Sequence, residues 1–345
     1  MSQGIGGRIG GRMEQQDNGL PNYNPQMMYQ QNMPGDQPEM GWQREPKPVQ
    51  TKKIISQSAF ALFIMGVAII LVQGIIEWLI KQYQPAILET NWYVWALTAF
   101  TVVGIGLPIF YFMTRQIPVA PKGEVIKLKP STFFMIFFIC TAVMYITNYF
   151  SIFITFLIAL AKGENFMDLN PLTEVFQNSN YILTLLYASI VAPITEELIF
   201  RKLLLDRLRR YGDVPAILMT GLAFGLFHMN LSQFFYAAAL GFVFAYVTIR
   251  TNTVRYSIFL HCMINFIGSA MTPLATTKNL LVTFGMALWV FSAITVGIVL
   301  LALNWRRINL VRGIPLEKKS GYFLNAGTIL YTLMCLIMIV IVTVS

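Results

Sequence analysis

The sequence predicts an all-α fold, a polytopic membrane helical bundle of about 8–9 transmembrane helices with a cytoplasmic N-terminus. Three observations carry this. The chain of 345 residues is 56% hydrophobic and only 12% charged, far more apolar than a soluble domain of that length. Its apolar residues gather into long runs separated by short polar connections. Lys and Arg also alternate sides: if every second connection faces the cytoplasm, all 25 lie there except Lys81, Lys162 and Lys278. That is a strong positive-inside asymmetry.

Residues 1–50 are rich in Gly, Gln, Asn, Pro and Met and show neither a helical nor a strand period, so they read as a disordered cytoplasmic tail. The first apolar run begins too late for an ordinary cleaved signal peptide. Candidate spans follow at 56–80, 92–114, 132–160 and 181–205, then at 214–229, 233–249, 256–273, 280–304 and 322–344. The stretch 214–249 is split at Asn230, Leu231 and Ser232, where Ser232 can cap a new helix. The chain divides into the tail, N-terminal transmembrane helices over 54–179, a core over 180–272 and C-terminal transmembrane helices over 273–345.

The composition excludes several function classes. A formal charge of +9 could suggest nucleic acid, but the basic residues are dispersed among short connections, so a nucleic-acid partner is not expected. Cys140, Cys262 and Cys335 fall within apolar runs, which argues against a disulfide framework and a cysteine metal site. The expected surroundings are the lipid bilayer of the cell membrane, crossed several times.

Ionisable groups at membrane depth are costly and mark candidate sites. The two histidines of the chain, His228 and His261, lie in apolar runs, as does the pair Glu196 and Glu197. Glu197 and Arg201 are i, i+4 neighbours with the acid N-terminal, the favourable order for an ion pair, whereas Glu196 is rotated about 100° away. Glu197 and Arg201 are therefore structural support, and Glu196 is free for acid or base work. Pro193, one turn earlier, can kink the helix beside a wet cavity.

Gly221, Gly225 and His228 share one helical face, which allows close approach of a neighbouring helix. His261 and Asn265 present two hydrogen-bonding groups from one face of a later span. A Glu and a His from different helices can share a water. His and Asn donors can stabilise the oxyanion formed when that water attacks a carbonyl.

Glu-Glu-x-x-x-Arg, Phe-x-x-x-His and His-x-x-x-Asn, in this order over residues 180–272, resemble the intramembrane CAAX protease and bacteriocin-processing family, also called the Abi family. The resemblance implies an all-helical membrane endopeptidase with Glu196 as base, His228 as its partner, and His261 with Asn265 as oxyanion stabilisers. It implies a membrane-associated peptide or protein substrate, lipidated ones included. No cofactor is expected. Glu196, His228 and His261 could also form a zinc set. The metal-free reading is preferred because there is no His-Glu-x-x-His helix and a whole span separates the histidines. The alternative function is a non-catalytic membrane peptide-binding immunity or scaffold protein of the same family.

The sequence poses one difficulty of depth. Counted from Arg201 and Arg255, Glu196 and His261 should lie roughly 8 Å inside the cytoplasmic face, whereas His228, counted from Val214, should lie roughly 21 Å inside.

Overall fold

A computed structural model describes residues 48–163, 179–275, 277, 279–313 and 319–344. The expected tail lies outside the described residues except for positions 48–50, which already belong to the first helix. Each expected span folds as a helix: α1 (Pro48–Tyr83), α2 (Tyr93–Thr114), α3 (Pro130–Lys162), α4 (Tyr181–Tyr211), α5 (Asp213–Phe227), α6 (Leu231–Thr251), α7 (Arg255–Ala275), α8 (Leu280–Arg307) and α9 (Ala326–Val344). Seven of these are long and apolar enough to cross a membrane. The other two are α5, a 15-residue apolar helix, and α7, whose 21 residues include His261 and Asn265. Among the described residues there is no strand, only one isolated antiparallel bridge between Gly212 and Arg312. The chain is a multi-pass, all-helical membrane protein.

Local chemistry sets the helix limits. Pro130 opens α3, where its missing N–H has no helical partner to lose. Gly163 closes it in the left-handed conformation at φ 71°. The Asn180 side chain caps α4 by accepting from the N–H groups of Ile182 and Leu183. Asn230, rather than the expected Ser232, caps α6 by accepting from Gln233 N–H at 2.9 Å. The Asn230 side chain is the one whose reach matches the third N–H of the helix.

The expected small-residue face is a contact surface. A Cβ at Gly225 would lie 2.8 Å from the Phe234 carbonyl oxygen, and one at Gly241 would lie 2.9 Å from the Gly221 Cα. Such approach requires that no side chain intervene, so α5 and α6 form a tight antiparallel pair.

Two hydrophobic cores flank the site. One joins Phe200, Leu204 and Leu208 of α4 to Phe224 of α5 and to α1, α2 and α9. The other joins Phe137 and Cys140 of α3 to Phe244 of α6 and to Leu260 and Ile264 of α7. Helix α6 contributes to both.

At the Lys- and Arg-rich end, residues 115–129 run as a strap across the bundle. Lys122 pairs with Asp206 at 2.6 Å, and Ala120 N–H donates to the Asp206 carbonyl oxygen at 2.7 Å. Farther along, Ile126 N–H donates to the Thr251 carbonyl and the Asn252 amide donates to the Glu124 carbonyl, both at 3.0 Å. Beneath the strap, buried Asp213 pairs with Arg250 and also accepts from Val311 N–H at 2.7 Å. The strap also ties down the start of α7: the Tyr256 hydroxyl accepts from Leu128 N–H at 3.0 Å.

Candidate active site

The acids of α4 sit on a six-residue α-helical stretch, Ala192–Glu197, between two π-helical stretches, Tyr187–Val191 and Leu198–Leu205. In the first of these, Ala192 N–H reaches back five residues to the Tyr187 carbonyl. In that register the next donor, for the Ala188 carbonyl, would be Pro193, which has no N–H. The Asn265 amide takes its place, donating to the Ala188 oxygen at 2.9 Å. One expected site residue thus satisfies a carbonyl freed by the proline, and its second amide hydrogen remains for another acceptor.

Glu197 and Arg201 are fully buried and paired at 3.3 Å, as their spacing predicts. The guanidinium lies over the Phe224 ring at 4.4 Å, and its Nη2 donates to the Gly241 carbonyl at 3.3 Å. A buried charge needs a counter-charge and hydrogen-bond partners, and the ring face adds a cation–π contact.

The same Oε1 of Glu197 that faces Arg201 lies 3.1 Å from Nδ1 of His261. A carboxylate held by Arg201 accepts, so Nδ1 of His261 donates and Nε2 is the nitrogen turned to the other partner. That partner is Glu196, whose Oε2 is 3.6 Å from Nε2. Glu196 is the more accessible acid, with its side chain 14% exposed against 0% for Glu197.

His228 caps the end of α5. Its Nδ1 lies 3.0 Å from the Phe224 carbonyl oxygen. A carbonyl can only accept, so Nδ1 carries the hydrogen and Nε2 offers a lone pair in the neutral ring. The Phe200 ring of α4 meets Phe224 and Phe227 at 5.3 and 5.4 Å, which sets the end of α5 beside the acid-bearing part of α4. Both imidazoles contact the Phe224 ring edge-on, with centroids 5.0 Å (His228) and 5.6 Å (His261) from it, and His261 also lies 5.0 Å from Phe244. The Phe of Phe-x-x-x-His therefore bridges the two histidines and Arg201, and the site lies where the two cores meet.

The depth difficulty dissolves on one finding: Arg201 does not mark the end of its helix. It is wholly buried, and α4 continues to Tyr211. Tyr211 lies fifteen positions beyond Glu196, and His228 fifteen beyond Asp213, and Phe200 of α4 meets Phe224 and Phe227 of α5 at 5.3 and 5.4 Å. The tight turn at Gly212, φ 99°, joins the two helices, so Glu196 and His228 are brought level. His261 is at the same level, 3.1 Å from Glu197 and 3.6 Å from Glu196.

Sequence reasoning missed two residues of α6 at the junction of the cores. Tyr236 packs against both cores, and Gln233 donates to its hydroxyl at 2.9 Å. Neither belongs to a motif, and an aromatic residue in an apolar span carries no signal of its own. Among the described residues, no group of three or more His, Cys, Asp or Glu side chains is arranged to hold a metal ion.

Comparison with known proteins adds a family to this geometry. A sequence model described as "Type II CAAX prenyl endopeptidase Rce1-like" matches residues 178–267. "Putative membrane peptidase YdiL" of Bacillus subtilis (strain 168) is 37% identical over 84 residues, 24% of this chain and 34% of that protein. The match thus spans about a third of the length of that relative. No solved structure matches. The segment that holds Glu196, His228, His261 and Asn265, residues 178–267, is thus similar to the Rce1-like family.

Proposed function

We propose that this chain is an intramembrane endopeptidase that hydrolyses a peptide bond in a membrane-associated protein or peptide, lipidated ones included. The observation that carries this reading is the ordered pair of acids around one imidazole: Glu197 holds His261 Nδ1 at 3.1 Å, and Glu196 faces His261 Nε2 at 3.6 Å. The family match and the relative described as a membrane peptidase point the same way.

In the proposed mechanism, a water between Glu196 and His228 gives one proton to the Glu196 carboxylate, while the bare Nε2 of His228 accepts its other hydrogen. The water oxygen bonds to the substrate carbonyl carbon, and the carbonyl electron pair moves onto oxygen. Glu196 and His261 Nε2 are near neighbours, so the proton taken from water can pass to His261. An imidazolium flanked by two carboxylates then donates to the oxyanion, with the free N–H of Asn265 as a second donor. Collapse breaks the C–N bond, and the leaving amine takes the proton from His261.

This mechanism needs no metal. Each histidine has Nδ1 engaged, on the Phe224 carbonyl and on Glu197. Among the described residues the remaining donors are not grouped as a ligand set, which favours water activation by the carboxylate.

The test is cleavage of internally quenched CAAX peptides, with and without a prenyl chain on the cysteine, by purified protein in proteoliposomes. Hydrolysis in heavy-oxygen water should label the new carboxylate. Absence of cleavage across the panel by folded protein would contradict the reading and favour the non-catalytic alternative.

A further inference from the structure

The oxyanion donors in the proposed mechanism are both conditional. His261 must first gain a proton at Nε2, and Asn265 already gives one amide hydrogen to the Ala188 carbonyl. A donor with no such condition stands on α6.

Its polarity follows from a chain of hydrogen bonds that begins at His228. The Asn230 amide nitrogen donates to the His228 carbonyl at 2.8 Å and to Gln233 Oε1 at 2.7 Å. The Asn230 amide cannot be flipped, because its Oδ1 accepts the Gln233 backbone N–H at 2.9 Å and its nitrogen meets a carbonyl. Gln233 Oε1 is therefore the acceptor, and Gln233 Nε2 donates to the Tyr236 hydroxyl oxygen at 2.9 Å. With that lone pair engaged, the Tyr236 O–H points its hydrogen elsewhere.

The surroundings give that hydrogen a direction. Tyr236 packs against both hydrophobic cores, and the site lies where they meet. Tyr236 stands two turns before Phe244 on the same side of α6, and the Phe244 ring lies 5.0 Å from His261. A donor at the junction of the two cores, of fixed polarity and in an apolar setting, is the chemistry that developing negative charge requires.

We propose that the Tyr236 hydroxyl is a further catalytic residue: it donates a hydrogen bond to the oxyanion of the tetrahedral intermediate, and Gln233 and Asn230 hold it in that orientation. This inference rests on the peptidase reading above and assigns to α6 a part of the site that the sequence motifs do not contain.

The test compares wild type with Tyr236→Phe, Gln233→Leu and the double variant in proteoliposomes, with Glu196→Gln alongside. Removing one oxyanion donor should lower kcat by about 10²–10³-fold with KM nearly unchanged, because the interaction exists only in the transition state. Gln233→Leu should lower kcat less, and the double variant should be no slower than Tyr236→Phe, since both act through one hydroxyl. A peptidyl phosphinate, which imitates the tetrahedral oxyanion, should bind Tyr236→Phe more weakly by the same factor, while an uncleaved peptide binds equally. Full kcat in folded Tyr236→Phe with Glu196→Gln inactive would overturn this inference alone. Full kcat in Glu196→Gln, or no cleavage by wild type, would overturn the peptidase reading and this inference with it. Loss in Tyr236→Phe through KM alone would make Tyr236 a packing residue and overturn its oxyanion role.

Discussion

His261 Nδ1 lies 3.1 Å from Glu197 Oε1, the same oxygen that faces the Arg201 guanidinium at 3.3 Å. One buried ion pair therefore fixes the tautomer of the imidazole beside Glu196. Glu197 and Glu196 are adjacent in sequence, yet they address opposite nitrogens of one ring.

Breaking this pair should cost stability. Glu197→Met leaves a buried guanidinium without a counter-charge, and Arg201→Met leaves a buried carboxylate. Each should destabilise by about 3–5 kcal/mol. The double variant, with neither charge left unpaired, should melt above both single variants. Thermal unfolding in detergent measures this, and a double variant below both would contradict a mutually compensating pair.

The contact between α5 and α6 predicts sensitivity to a single methyl group. Gly225→Ala places a Cβ 2.8 Å from the Phe234 carbonyl oxygen, so the helices must separate, at a cost of about 1–3 kcal/mol. His228 caps α5 three residues later, so activity should fall along with melting temperature. Gly268→Ala has open space around its Cβ and should leave both nearly unchanged.

The strap predicts an alkaline dependence. Burial holds the Lys122 ammonium below its ordinary 10.5, with Asp206 opposing the shift. The folded chain therefore releases this proton at lower pH than the unfolded chain. Between the two values the unfolded state binds more protons, and this residue's contribution to stability rises with pH. The melting temperature of wild type minus that of Lys122→Met should rise on approach to 10.5, and a fall would contradict the buried setting.

Metal removal should be without effect. Cleavage after exhaustive treatment with a zinc chelator should equal that of untreated protein. Loss on chelation, restored by added zinc, would replace the carboxylate mechanism with a metal-assisted one that uses both histidines.

Much of this was legible in the sequence. The helices follow from runs of apolar side chains, and Glu197–Arg201 and Gly221/Gly225 from helical spacing alone. The depth of the site was not legible, because Arg201 resembles a surface charge until its partners Glu197, Phe224 and Gly241 are known. The attachment of Asn265 to Ala188 was hidden for a related reason: it depends on a π-helical register that leaves one carbonyl opposite a proline. Tyr236 is informative only through Gln233 and Asn230, whose orientation is set by a backbone carbonyl.

The central claim is that Glu196, not Glu197, is the base. The most direct measurement is kcat of Glu196→Gln in proteoliposomes, with melting temperature measured on the same sample. The account predicts a fall of about 10²–10⁴-fold with wild-type melting, because Glu196 is partly exposed and carries no buried ion pair with Arg201. A folded Glu196→Gln that cleaves at the wild-type rate would contradict it.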